Sequence, residues 1–117
     1  MQPGLVKGAT IYHAYYMGGD TAALVAAKID CAIVVVQAAW TTNAAGTVQF
    51  ESDGTACGPP FAHGTEPFVL PYSPAGWFTT TVGHSLDLDI TTSTTISIVV
   101  GFVLVKDPSI TLTGTAA

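Results

Sequence analysis

Hydrophobic and polar residues alternate most cleanly near the end of the chain, at residues 85–91. The apolar members of this segment are Leu86, Leu88 and Ile90, and they fall on one face of an extended chain. Asp87 and Asp89 fall on the other face. Residues 47–52 alternate in the same way. A period of two is typical of a strand with one buried face, so we predict two half-buried strands and expect Asp87 and Asp89 to point to solvent.

Two longer segments, residues 29–41 and 96–105, are apolar without alternation and rich in β-branched side chains. The apolar core of each is about ten residues long, whereas a membrane-spanning helix needs about 20. A continuous apolar run of this kind favours a strand that is buried on both faces.

Turn residues separate several further short segments of strand character. We predict strands over residues 9–17, 68–72 and 77–82, and a short strand or loop crossing over residues 22–27. Residues 53–66 are expected to form the longest irregular stretch, because Pro59 and Pro60 prevent regular ladder pairing.

Seven or eight strands at this spacing, with no helical periodicity, predict an all-β fold in the form of an antiparallel β-sandwich. The architecture that we expect is jelly-roll-like, and an immunoglobulin-like sandwich is the alternative. The Cys and Trp positions do not fit the immunoglobulin hallmark. We predict a single domain over residues 9–105, an extended N-terminal arm over residues 1–8 and a Thr-rich C-terminal tail over residues 106–117.

The charge composition limits the classes of partner that this protein is expected to bind. Apolar residues make up 49% of the chain and charged residues only 9%, against about 25% in ordinary soluble domains. The net charge is −5, there is no Arg, and the three Lys residues are scattered. Binding to nucleic acid or to an anionic membrane surface uses clustered basic residues, so neither is expected. The N-terminus also lacks the pattern of a secretory signal. We expect apolar surface to be covered by protein partners or by neutral polar groups.

Residues with possible chemistry are few. No His lies at zinc-ligand spacing from another His or Cys. Cys57 and His63 lie in one loop and are conceivable as a metal or nucleophilic pair, although ordinary loop residues are the simpler interpretation. We expect Cys31 and Cys57 to be free thiols. Asp87 and Asp89, about 7 Å apart along a strand, suit a glycosidase or Ca²⁺ less well than a solubilising role. We therefore predict no enzyme, metal site or cofactor.

The aromatic residues are more informative. In the strand at residues 9–17, Tyr12 and Tyr16 share one face, and Tyr15 and His13 share the other. Three interpretations are open, namely core packing, an interface between subunits, and stacking on sugar rings. The candidate interface, with another subunit or with a protein partner, comprises Tyr12, His13, Tyr15, Tyr16, Trp40 and Trp77.

A resemblance rests on the segment LPYSPAGWF at residues 70–78, on GHSLDL at residues 83–88 and on TVQFES at residues 47–52. These motifs resemble small tailed-bacteriophage proteins of similar length, and the likeness covers roughly residues 29–105. The resemblance implies a virion component similar to capsid decoration (cement) proteins. Such proteins sit on the head shell, often as trimers, and clamp neighbouring capsomers. No catalytic residue comes with the motifs.

The leading expectation is therefore a structural virion protein, a homotrimer that binds the major capsid protein on the outer surface of a phage head. It would be assembled in the host cytoplasm and located on the capsid surface. The alternative is a tail- or fibre-associated module that recognises host glycan through the Tyr12–Tyr16 strand or Trp40. A third hypothesis is a metal-dependent, cupin-like enzyme.

Overall fold

Ten strands and no helix make up the described part of the chain, which in this computed structural model comprises residues 10–19, 21–91 and 95–106. The strands are β1 (Tyr12–Gly18), β2 (Thr21–Val25), β3 (Cys31–Thr42), β4 (Gly46–Ser52), β5 (Thr55–Ala56), β6 (Phe61–His63), β7 (Phe68–Leu70), β8 (Phe78–Thr79), β9 (Leu86–Thr91) and β10 (Ile96–Lys106).

The strands form two five-stranded antiparallel sheets that pack face to face. Sheet A has the order β1-β10-β3-β7, and β8 also pairs with β3. Sheet B has the order β2-β9-β4-β5, and β6 also pairs with β4. The predicted all-β sandwich is confirmed. The arm over residues 1–8 lies outside the described residues, as does the tail beyond Lys106, which itself ends β10.

The pairing is nested. The first strand pairs with the last, and the second pairs with the ninth. Strand β3 pairs with β7 and β8, and β4 pairs with β5 and β6. The chain is thus arranged as one long hairpin whose first half, β1 to β4, pairs with its second half, β5 to β10. Successive paired strands of this hairpin belong alternately to sheet A and sheet B.

An aromatic cluster joins the two sheets in the core. Trp40 of sheet A stacks on Phe68 with ring centroids 4.7 Å apart. It meets Phe50 and Phe61 of sheet B edge-on, at 5.9 and 6.0 Å. Phe78 closes the cluster against Phe50 at 4.8 Å. Edge-to-face and offset rings at these distances add to the stabilisation from burial.

A β-bulge interrupts the long pairing between β3 and β10. Val35 and Gln37 lie opposite consecutive residues of β10, so Val36 has no opposite residue. Val35 faces the core before the bulge, and Trp40 faces it after the bulge. In an uninterrupted strand, positions 35 and 40 would point to opposite faces. The extra residue therefore shifts the inward and outward pattern of β3 by one position.

The stretch at residues 53–66, expected to be irregular, contains two short strands, and this expectation was wrong. Asp53 and Gly54 adopt positive φ angles of 51° and 88°, and they link the paired residues Ser52 and Thr55. Asp-Gly is the favoured sequence of a two-residue hairpin turn, so the chain continues directly into β5.

The predicted exposure of Asp87 was also wrong. Its side chain is on the face of β9 opposite the core, as the alternation predicts, but it is only 5% exposed. Ser85 Oγ donates a hydrogen bond of 2.7 Å to Asp87 Oδ1, and this bond partly replaces the lost hydration.

Glycine at position 76 is required by both conformation and space. Gly76 and Gly83 have similar φ angles of 88° and 82°. A Cβ on Gly76 would overlap Val34 Cγ1, whereas one on Gly83 would meet nothing within 4 Å. We predict that Gly83→Ala lowers the free energy of unfolding by about 1 kcal/mol, the strain of a left-handed alanine.

Gly76→Ala is expected to lower the free energy of unfolding by roughly 1–3 kcal/mol more than Gly83→Ala does, because Val34 must also move. Urea unfolding of both variants measures the difference. Equal losses in the two variants would show that Gly76 does not pack closely against Val34.

Candidate protein-interaction face

The outer surface of sheet A carries a row of uncharged side chains that crosses four strands. Tyr15 of β1 lies opposite Val99 of β10, which lies opposite Ala39 of β3, which lies opposite Val69 of β7. Their neighbours along each strand pack into the core, so these four residues face outward. We define the docking face as His13, Tyr15, Met17, Gln37, Ala39, Thr41, Val69, Ser97, Val99 and Gly101. None of these ten residues is Asp, Glu, Lys or Arg.

The docking face is unusually apolar for a sheet surface without protein cover. Tyr15 is 79% exposed, Met17 is 73% exposed and Val69 is 59% exposed. A shallow depression beside Tyr15 and Met17 is lined also by Val99 and Pro67. The solvent side of an antiparallel sheet normally carries polar residues, and a contiguous apolar patch instead marks a contact surface.

The margin of the docking face on one side is a polar row. Gln37 Nε2 lies 3.2 Å from His13 Nε2, a hydrogen bond that spans β10. Gly101 lies beneath it, and a Cβ there would come within 2.6 Å of Gln37 Cγ. The missing side chain therefore lets Gln37 lie flat across β10 and reach His13.

Beyond this row, a loop covers the rest of the outer surface. Ser73 N–H donates to the Val36 carbonyl at 2.8 Å, and Trp77 N–H donates to the Val35 carbonyl at 2.7 Å. The loop between them packs Gly76 against Val34, which is buried on the outer side of the sheet. The docking face is thus the half of sheet A that this loop leaves open.

The opposite surface of the sandwich has a different character. On the outer side of sheet B, Asp87 lies opposite Glu51, and Asp89 lies opposite Gln49. Three carboxylates therefore lie on the outer side of sheet B, away from the docking face; Asp87 is buried there, and Glu51 and Asp89 are partly exposed. The two outer faces differ in charge as well as in hydropathy.

The candidate interface residues divide between these environments. Tyr15 and His13 lie on the docking face, and Tyr12 and Tyr16 share the inner side, as the alternation predicts. Tyr16 packs against the core. Tyr12 meets the ring of Phe102 at 5.7 Å and remains 47% exposed.

The two tryptophans differ from each other. Trp40 is 2% exposed and lies at the centre of the aromatic cluster, so its assignment as a contact or sugar-stacking residue was wrong. The bulge at Val36 turns it inward. Trp77 is 41% exposed in the covering loop, and its Nε1 donates to the Pro71 carbonyl at 2.8 Å.

Sequence reasoning missed Met17, Val69 and Val99 as surface residues. Met17 follows Tyr15 by two positions, and that spacing alone places it on the same face of β1. Val69 and Val99 lie inside apolar runs with no polar residue to mark a solvent side. Their exposure depends on which strands the loop covers, and local pattern does not contain that information.

The cysteine and histidine candidates form no reactive pair among the described residues. Both thiols are free, as expected. His63 Nδ1 lies 2.9 Å from the Gly64 carbonyl and 3.2 Å from Thr42 Oγ1. Burial raises the pKa of the Cys57 thiol to about 11. A backbone hydrogen bond lowers this pKa by a smaller amount, and the nearby carboxylates Glu51 and Asp87 raise it further. A nucleophilic cysteine needs the opposite shift.

One Ser–His contact is present that the sequence did not suggest. Ser52 Oγ lies 3.0 Å from His84 Nδ1 and accepts the Thr81 N–H at 2.9 Å. Ser52 is only 5% exposed. The contact fastens the turn before β9 to β4, and the described residues contain no group of three or more metal-ligating side chains.

No protein-family model, curated protein or solved structure matches this chain. In the described ranges, no helix has the length and hydropathy needed to cross a membrane.

The raised pKa of Cys57 predicts slow alkylation. At pH 8 a thiol of pKa about 11 is roughly one-thousandth thiolate, so reaction with iodoacetamide is expected to be about tenfold or more slower than for the unfolded chain. The rate should rise as the pH approaches 11. Mass spectrometry of the Cys57 peptide distinguishes alkylation at Cys57 from alkylation at Cys31. Equal alkylation rates of Cys57 in folded and urea-unfolded protein would contradict the expectation.

Proposed function

We propose that this protein is a structural component of a phage virion, a capsid decoration protein that binds the major capsid protein through the docking face. The observation that carries the proposal is the uncharged row from Tyr15 to Val69 across four strands. A partner that covers this row removes exposed apolar surface from water without burying an unpaired charge.

The strand order supports a jelly-roll assignment for the domain. A jelly roll consists of two four-stranded sheets formed from one rolled hairpin. The nested pairing of β1 with β10 and β2 with β9 follows that plan, if β5 with β6 and β7 with β8 each count as one interrupted strand. The virion context itself comes from the sequence resemblance at residues 47–52, 70–78 and 83–88.

A decoration protein acts through contact area and copy number. A stable contact buries about 1,600 Å² in total, and linking several sites raises the overall avidity without new kinds of contact. In this proposal the docking face lies on the capsid, and the acidic outer side of sheet B faces solvent. A three-fold arrangement of copies on the capsid lattice is part of the proposal.

The first test is the copy number of this protein in purified particles, measured by quantitative mass spectrometry against the major capsid protein. A near-stoichiometric ratio to the major capsid protein supports decoration of the head. A few copies per particle, or none, would overturn the decoration proposal.

Two matched substitutions test the docking face itself. Val69 and Ala62 are the exposed central residues of the three-residue strands β7 and β6, on sheets A and B respectively. We predict that Val69→Glu lowers occupancy on particles at least tenfold, because the charge must be desolvated at the contact.

Ala62→Glu is the control, since it adds the same charge on the opposite side of the sandwich. We expect normal occupancy and the same circular dichroism spectrum as the parent. A loss of occupancy in both variants, or in neither, would contradict the assignment of the docking face.

Glycan recognition is the second candidate, and the observation that favours it is the exposed ring of Tyr15 beside the apolar depression. Of the residues proposed for sugar stacking, Trp40 is in the core and Tyr16 packs against it. A glycan array probed with the parent and with Tyr15→Ala tests this function. Binding that the substitution abolishes would support it, and an array without binding would exclude it for the glycans displayed.

A further inference from the structure

The edge strands of the two sheets are not equally protected against pairing with a further strand. Natural sheets block their edges with short strands, prolines, charges or bulges. Strands β7 and β8 have three and two residues, and Pro67 and Pro71 flank β7. Strands β5 and β6 have two and three residues, with Pro59 and Pro60 between them. Strand β2 shifts register against β9 between Thr21 and Val25.

Strand β1 has none of these protections. Its seven residues pair with β10 in unbroken register, and they include no charged residue and no proline. Within the described residues, no strand pairs with its other edge. A regular, uncharged edge of this length is a template for another strand.

We infer that β1 pairs with β1 of a second copy, antiparallel and about a two-fold axis at Tyr15. Tyr15 is the central residue of β1, so only the register that places it opposite itself pairs all seven residues. A slip of one residue would set core-facing residues opposite outward-facing ones, and a slip of two would leave two residues of each strand unpaired.

Side-chain size and charge fit this register. On the inner side, Ala14 lies opposite Tyr16 of the second copy, so a large residue meets a small one. Tyr12 lies opposite Gly18 of the second copy, and the ring of that copy's own Tyr16 lies over the glycine, so Tyr12 meets a tyrosine ring there. On the outer side, His13 lies opposite Met17 of the second copy. No like charges are brought together, which would oppose such pairing.

The pairing joins the two A sheets and places both docking faces on one continuous surface. A two-fold contact gives pairs of the free protein, whereas a three-fold arrangement would be imposed by the capsid lattice. The inference does not rest on the proposed function, because it is tested on purified protein without particles.

The first measurement is the mass of the free protein by sedimentation equilibrium over a dilution series. We expect a species of twice the 12.0 kDa chain mass that dissociates on dilution. A monomer at every concentration, or a trimer, would overturn the inference.

Charge substitutions across the axis test the register. The double variant H13K/M17K places lysine opposite lysine at both cross-strand pairs, and we expect dimerisation at least tenfold weaker. The control H13E/M17K alters the same positions but places opposite charges across the axis, so we expect a dimer. Positions 13 and 17 are about 13 Å apart within one strand, so the substitutions interact between copies and not within one. Equal weakening in both variants, or in neither, would overturn the register.

A cysteine at the axis gives a direct readout. Opposite residues of antiparallel strands have Cα atoms about 4.5–5.5 Å apart, within the range that a disulfide spans. In a background with C31S and C57S, we expect Y15C to form a disulfide-linked dimer under mild oxidation. V69C, which is exposed on the same face at the opposite edge, should not. Crosslinking of V69C alone would place the contact at the wrong edge and overturn the inference.

Discussion

The pairing of β3 with β10 is the interaction on which the rest of the structure depends. These are the two longest strands, of twelve and eleven residues, and they lie side by side at the centre of sheet A. Neither strand offers a continuous polar face, because Gln37, Thr41 and Ser97 alternate with apolar residues on the outer side. Each strand therefore has apolar surface to cover on both sides. Sheet B supplies the inner cover through the aromatic cluster. The loop around Gly76 supplies the outer cover, but only as far as Val34 and Val36. The docking face is the part of the outer side of β3 and β10, with the neighbouring strands, that neither sheet B nor this loop covers.

Much of the fold was predictable, because it depends on local pattern. The alternation in β4 and β9 places Val48, Phe50 and Leu88 in the core, where the structure has them. The continuous apolar runs were recognised as strands, and the absence of helical periodicity indicated the all-β class. The prediction that these runs are buried on both faces was wrong for the half of sheet A that carries the docking face, because the loop around Gly76 covers only the other half. Asp53-Gly54 is the one turn signal whose consequence, the hairpin into β5, was left out of the sequence prediction.

The candidate site was less predictable because it depends on contacts between distant segments. A run such as residues 31–41 has apolar residues on both sides, so its pattern does not tell which side is inner. The position of Trp40 follows from a bulge that leaves no trace in the residue types. Asp87 was placed on the correct face, but its burial comes from tertiary neighbours. Tyr15 was identified because aromatic residues crowd its strand, and Val69 was missed because it lies in a short apolar segment without such a signal.

The bulge at Val36 acts as a frame shift in the protein. Before the bulge, the odd-numbered residues of β3 point into the core, and after it the even-numbered residues do, although both segments belong to one strand. Loss of one residue there would bring Trp40 to the surface and turn Gln37, Ala39 and Thr41 into the core. The composition of the chain would hardly change, but the docking face would lose its middle strand. The identity of this surface is therefore determined by the length of β3 as much as by the residues it contains.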